Sequence, residues 1–536
     1  MSASTNDKRM GAAADTPDTT EPAFRRLVAA TLLPGFAGTT LPHWLAARLR
    51  DGLGGVCIFG ENIVSVPQLR ALTDAILEAN PRAVIAIDEE GGDVTRLFFA
   101  TGSPYPGNAV LGRLDDAATT EAVARQVGHA LREAGCTVDF APDVDINSNP
   151  LNPVIGVRSF GATADAVSRH SAAWVRGLQS QGVAASAKHF PGHGDTAQDS
   201  HLALPVVDRS LAELRERELK PFQAAIAAGT RTIMTSHILL PQLDAENPAT
   251  LSPRILQGLL RDELGFDGVI VSDALDMRGA SGTIGIPAAA ARALSAGCDL
   301  LCIGTKNTDE QLGDIENAVL AAVASGALDA ARVADAAARV HGLADALAYA
   351  RRERPVTGPA VAGAASAGEA LGKDAAFESD GETAVDAQAV LDAFDIGERA
   401  EAWRRAAAGG YVVYRMESEV NVAVGTAPWG PFAEVVGDPA STASALFAAN
   451  PVVTCLAQAP QGVGRPDAPV LVIGRDNHRH AFVRETVDAL RATRDDVLVV
   501  DMGWPSDDRA YADVATFGAS RLVGRAVLQW LAGAAS

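Results

Sequence analysis

Lys188, His189, His193, Asp195, Asp199 and His201 fall within fourteen consecutive positions of the stretch SAKHFPGHGDTAQDSHLALP, residues 186–205. Three histidines, a lysine and two aspartates this close together can hold a metal ion, form a Schiff base or move a proton. Pro191, Gly192 and Gly194 interrupt any continuous helix, so the stretch reads as a loop. In a metal site His189, His193 and His201 would be ligands, with Asp199 as an oxygen donor. The common helical zinc spacings are missing, and Lys188 would set a cation beside the ion. As a Schiff-base nucleophile Lys188 would need a depressed pKa, which neighbouring carboxylates oppose. The third reading pairs Asp199 with His201 as an acid/base dyad, the carboxylate fixing the tautomer and favouring the protonated ring. Asp273, in VSDALDM, then supplies a carboxylate nucleophile. A nucleophile and a separate proton donor are the two parts of a retaining glycosidase, here with histidine in place of the second carboxylate. A solvated loop histidine is the competing reading of His201, and the loop alone does not choose.

The elements that must position these residues repeat. Short β-branched apolar runs at 27–33, 54–60, 83–88, 136–142, 183–189, 231–237, 268–273 and 298–304 alternate with amphipathic stretches such as 119–135 and 211–229. Eight such repeats predict a parallel sheet closed as a (β/α)8 TIM barrel, in an α/β fold. Barrel active sites lie at the C-terminal strand ends, which carry Asp88, Asp143, Asp145, Lys188, His189, Ser236, His237 and Asp273. Single Asp and Ser residues there often cap helices; lysine, histidine and aspartate on adjacent strands do not.

Residues 1–22 are polar and predicted disordered, 23–350 form the barrel, and 351–385, rich in Ala, Gly and charge, read as a linker. Runs at 411–416, 452–458, 468–474 and 496–503 predict a smaller C-terminal α/β sandwich domain over 386–536. It has neither a Gly-rich dinucleotide fingerprint nor a P-loop, so no nucleotide is expected.

A net charge of −21 without basic clusters disfavours a nucleic-acid partner. The five scattered cysteines read as buried free thiols. The N-terminus lacks the apolar core of a signal peptide, and no run of 18 apolar residues occurs. The expectation is a cytoplasmic protein without a transmembrane helix.

The motifs IDEEGGDVTRL (87–97), GVRSFG (156–161), KHFPGHGDTAQDSH (188–201) and GVIVSDALDM (268–277) resemble the β-N-acetylglucosaminidases of glycoside hydrolase family three, over about residues 25–345. The resemblance implies a barrel enzyme that removes terminal β-linked N-acetylglucosamine with retention. No metal or other cofactor is expected. It implies Asp273 as nucleophile and His201, supported by Asp199, as acid/base. Asp88, Arg96, Arg158, Lys188 and His189 would hold the sugar through charge-assisted hydrogen bonds. Asp276 is read as structural. Cell-wall recycling is the implied setting.

The chain departs from the pattern D-Q-E-G-G-R, which here reads Asp88-Glu89-Glu90-Gly91-Gly92-Asp93. The loss of a cation at Asp93 bears on contacts beyond the terminal sugar. Some two-domain relatives are phosphorylases, so inorganic phosphate is the alternative co-substrate. A neutral histidine acid/base would not repel it, whereas two charges about 4 Å apart repel by roughly 4 kcal/mol at an effective dielectric of 20. Arg158, Lys188 or another arginine would then bind phosphate. Two further rivals are an acid/base drawn from Glu417 or Glu419 and a non-catalytic sugar-binding protein.

Overall fold

The computed structural model describes residues 22–198, 204–282, 284–353, 384–418, 423–457 and 467–533. Eight short strands carry the first part of the chain: β1 (Leu32–Pro34), β2 (Gly55–Ile58), β3 (Val84–Ile87), β4 (Val138–Asp139), β5 (Ala184–Phe190), β6 (Thr232–Thr235), β7 (Val269–Ser272) and β8 (Leu300–Gly304). Each pairs in parallel with its successor from β2 to β8, and β8 pairs with β1. β1 lies beside β2, where the Gly54 N–H donates to the Ala29 carbonyl at 3.0 Å, so the barrel is nearly closed.

The strands are buried on both faces because each side chain has a core to enter. Ile85, Ile87 and Ile270 pack outward against helices. Val84, Ala86, Val269 and Val271 alternate with them and fill the interior together with Cys57, Phe140 and Cys302. This period of two is what a strand covered on both sides requires.

Two predicted elements differ in detail. The run at 27–33 is divided: Pro22–Ala29 form a helix that buries Phe24, Val28 and Ala29, a turn follows, and only the end of the run enters β1. That helix starts at Pro22, inside the stretch predicted disordered. The 211–229 stretch is two helices, Leu211–Glu216 and Leu219–Ala227. Pro221 falls in the first turn of the second, where its missing N–H is harmless. The last barrel helix, Ala330–Glu353, runs past residue 350.

The C-terminal sheet contains β9 (Asp395–Ile396), β10 (Val412–Glu417), β11 (Val452–Leu456), β12 (Val470–Gly474), β13 (Val497–Asp501) and β14 (Val514–Ala515), in the order β11-β10-β12-β13-β14-β9. Every pairing is parallel except β14 with β9. The two-residue strands β9 and β14 are too short to leave a hydropathy pattern. Several long-range hydrogen bonds tie this part to the barrel loops. Ala519 N–H donates to Asp93 Oδ1 at 2.8 Å, Arg96 Nη2 to the Ala423 carbonyl at 2.9 Å, and Arg479 Nη1 to the Asn152 carbonyl at 3.0 Å. Asp93, where a cation was expected, is therefore an inter-sheet acceptor. No helix among the described residues is long and apolar enough to cross a membrane.

Candidate active site

A cavity of about 440 Å3 opens at the C-terminal ends of the barrel strands, lined by Asp88, Glu90, Arg96, Arg158, Lys188, His189, His193 and Asp273 among others. Ala423 and Gly425, from the segment after β10, close part of its wall.

The cavity floor is a chain of buried charges centred on Glu90. Lys188 Nζ lies 2.7 Å from Asp88 Oδ1 and 2.7 Å from Glu90 Oε1. Arg158 grips the same Glu90 with two bonds, Nη2 to Oε1 at 2.7 Å and Nε to Oε2 at 2.9 Å. Burial would raise the Glu90 pKa, but Arg158 and Lys188 outweigh it and hold the carboxyl well below its usual range. Burial likewise works against the Lys188 ammonium, and Asp88 and Glu90 overcome it, so the lysine is held charged. This disposes it to ionic contact and against Schiff-base chemistry, as the neighbouring acids led one to expect.

Asp145 organises the next layer. Its Oδ2 accepts from His189 Nδ1 at 2.7 Å and from the His189 N–H at 3.2 Å, while Oδ1 accepts the His193 N–H at 2.6 Å. The Nδ1 bond turns His189 Nε2 toward Arg158 Nη2, at 3.4 Å. Asp143 is pushed the other way by burial and by Asp145, its carboxyl raised well above the ordinary range despite Arg158 at 3.5 Å.

Asp273 stands just past β7, half-buried at the cavity wall. Its N–H donates to Thr235 Oγ1 at 3.3 Å and its Oδ1 accepts the Ala274 N–H at 2.7 Å. The Ala274 carbonyl in turn lies 3.0 Å from His237 Nε2. Ser236 Oγ donates to the Phe190 carbonyl at 2.9 Å, so Ser236 and His237 brace strand ends. Asp276 is exposed, lines the same cavity and accepts the Thr305 N–H at 3.0 Å.

Arg96 is presented by a loop wrapped around a second buried acid. Glu89 Oε2 accepts from Thr95 Oγ1 and from the N–H groups of Arg96 and Leu97, each at 2.9 Å. The guanidinium then reaches the Ala423 carbonyl and lies 3.9 Å from Asp88 Oδ2.

The structure thus gathers Asp88, Arg96, Arg158, Lys188, His189 and Asp273 around one cavity. Asp199 and His201 lie outside the described residues, as does Glu419. Glu417 ends β10 in an ion pair with Arg415. Sequence reasoning missed Glu90 and Glu89. Glu90 could have been found: Asp88 and Glu90 are two apart after a strand and share a face, so both meet Lys188.

Asp143, Asp145 and His189 offer ligand atoms within 4.8 Å of one another. The expected metal set contained only His189 of these. The Arg158 guanidinium lies 3.5 Å from Asp143 Oδ2, which accepts no hydrogen bond among the described residues, and His189 is already bonded to Asp145. Arg158 and Lys188, the cations expected to meet phosphate, are both engaged by Glu90.

The family model described as "Glycosyl hydrolase family 3 N terminal domain" matches residues 42–343. The chain is 40% identical over 283 residues to a β-hexosaminidase of Stenotrophomonas maltophilia (strain K279a), covering 51% of this chain and 82% of that protein. It is 39% identical over 287 residues to β-hexosaminidase A of Pseudoalteromonas piscicida, and there spans only 48% of the relative's length. Among solved structures, a glycoside hydrolase family 3 β-N-acetylglucosaminidase from Paenibacillus sp. str. FPU-7 superposes with a TM-score of 0.79 at 29% identity, over 96% of this chain and 97% of that one.

Proposed function

The chain belongs to glycosyl hydrolase family 3, and from that premise we propose that it is a retaining exo-β-N-acetylglucosaminidase. It cleaves terminal β-linked N-acetylglucosamine through a glycosyl-enzyme intermediate. The observation that carries the reading is the placement of Asp273 on the wall of a cavity whose other polar groups, Asp88, Arg96, Arg158, Lys188 and His189, suit a hydroxyl-rich ring.

In the proposed mechanism the Asp273 carboxylate attacks the anomeric carbon, and the bond to the leaving oxygen breaks as protonated His201 donates to that oxygen. His201, now neutral and supported by Asp199, takes a proton from water. The water oxygen attacks the anomeric carbon, releases Asp273 and restores the β configuration. The Glu90 network keeps Lys188 and Arg158 charged throughout, so the sugar meets a field already in place.

We assign the barrel to about 23–350, with its last helix ending at Glu353, and the C-terminal α/β unit to 386–536, with the linker between them. With the activity we propose a cytoplasmic role in recycling cell-wall sugars. The five cysteines support a reducing compartment, since all are free and buried. Product analysis on an aryl β-N-acetylglucosaminide, with and without inorganic phosphate at matched ionic strength, tests the reaction. Free N-acetylglucosamine at a phosphate-independent rate is expected. Accumulation of the sugar 1-phosphate would make the enzyme a phosphorylase, and no turnover would leave a sugar-binding protein.

A further inference from the structure

His193 has no part in the mechanism so far, yet it is held more firmly than a filler residue needs to be. Its side chain is 1% exposed and lines the cavity. Neither ring nitrogen has a hydrogen-bond partner among the described residues. A buried polar side chain without a partner is costly, and most native proteins avoid one.

The backbone around it is pinned from two sides. Asp145 Oδ1 accepts the His193 N–H at 2.6 Å. Asn152 Nδ2 donates to the His193 carbonyl at 2.9 Å and to the Gly194 carbonyl at 3.0 Å. The other end of that amide, Oδ1, accepts the N–H groups of Val154 and Ile155, both at 2.9 Å, so all of its capacity is used. Gly194 has no room for a side chain, since an added Cβ would meet the Ile146 carbonyl oxygen at 1.7 Å. The ring stands edge-on to His189, with centroids 6.0 Å apart. Burial pushes its pKa down to about 4 against the pull of Asp145 and Asp273, with His189 adding to the depression. The imidazole is therefore neutral, one donor and one acceptor.

We propose that His193 is a substrate-contact residue whose imidazole hydrogen-bonds a hydroxyl of the sugar held in the cavity. The inference rests on the carbohydrate reading above and deepens it. A hydroxyl is itself a donor and an acceptor, the complement of a neutral imidazole. The charged groups around it are engaged with one another: Lys188 with Asp88 and Glu90, Arg158 with Glu90. His193 lines the cavity, and neither of its ring nitrogens, both buried, has a hydrogen-bond partner among the described residues.

The test uses His193→Phe and His193→Asn in the full chain. Phenylalanine keeps the ring and removes both polar atoms; asparagine restores one donor and one acceptor. Turnover of an aryl β-N-acetylglucosaminide, binding of free N-acetylglucosamine by calorimetry and thermal unfolding are measured on each and on the parent. The Phe variant is expected to unfold at the parent's temperature or higher while losing at least tenfold in kcat/KM and in sugar affinity. The Asn variant is expected to recover part of both. A Phe variant that binds and turns over like the parent would overturn the proposal and make His193 a packing residue. If the parent binds the sugar but turns nothing over, the hydrolase reading fails, and calorimetry still decides His193.

Discussion

The ammonium of Lys188 and the carboxylate of Glu90 lie 2.7 Å apart beneath the barrel mouth, both all but closed to solvent. Glu90 thereby joins β5 to the loop after β3 and, through Arg158, to the 156–158 turn. One carboxylate fixes two cations that would otherwise need each other's absence.

Glu90→Gln is therefore expected to destabilise the protein by about 3–5 kcal/mol, because it leaves two buried cations short of one negative charge. Denaturant unfolding measures this. The folded pKa of Glu90 is held below its ordinary 4.5 by Arg158 and Lys188 in spite of burial. Its contribution is then full above that pH and lost as pH falls through the folded value. The substituted protein should lose that part of the acid limb; an acid limb parallel to the parent's would contradict the assignment.

Glu89 carries the opposite sign. Burial raises its pKa from 4.5 to about 7 despite the bonds from Thr95, Leu97 and Arg96. The folded state holds this proton more tightly than the unfolded state, so stability falls as pH rises from 4.5 to about 7. Glu89→Gln keeps an oxygen for the same donors and should gain up to about 3 kcal/mol above neutrality, with no gain in acid. Equal stability profiles for the two proteins would count against it.

Gly425 tests the contribution of the C-terminal sheet. Its φ is +75°, and an added Cβ would meet Phe99 at 3.1 Å. Gly425→Val should shift the 423–425 segment, release Arg96 from the Ala423 carbonyl and raise KM by roughly tenfold, at a cost of about 1–3 kcal/mol in backbone strain. Steady-state kinetics with thermal unfolding reads both. An unchanged KM would mean that Arg96 holds its place without this sheet.

Much of this architecture was legible in the sequence. Val84, Ala86 and Ile270 belong to short apolar runs between helices, as parallel strands covered on both faces require, and the eightfold repeat of such runs points to a barrel. The residues at strand ends, from Asp88 to Asp273, follow from the barrel rule and from the family motifs. What stayed hidden depended on contacts between distant segments. Nothing near Asp93 announces that it will accept from Ala519, 426 positions away. Asn152 reads as one of several loop asparagines until its amide is seen between Val154 and His193. The start of the barrel was misread because Leu27–Ala29 suit a helix and a strand equally, and tertiary packing of Phe24 and Val28 decided.

The central claim is that Asp273 forms the covalent bond to the sugar. A fluorinated N-acetylglucosaminyl fluoride, whose ring fluorine slows both steps and whose leaving group keeps the first one fast, should trap the intermediate. Digestion and mass spectrometry then locate the ester. The expected result is one sugar per chain on the peptide containing Asp273, with no labelling of Asp273→Asn. A label on Asp276, on Glu417 or on no residue while turnover continues would contradict the account.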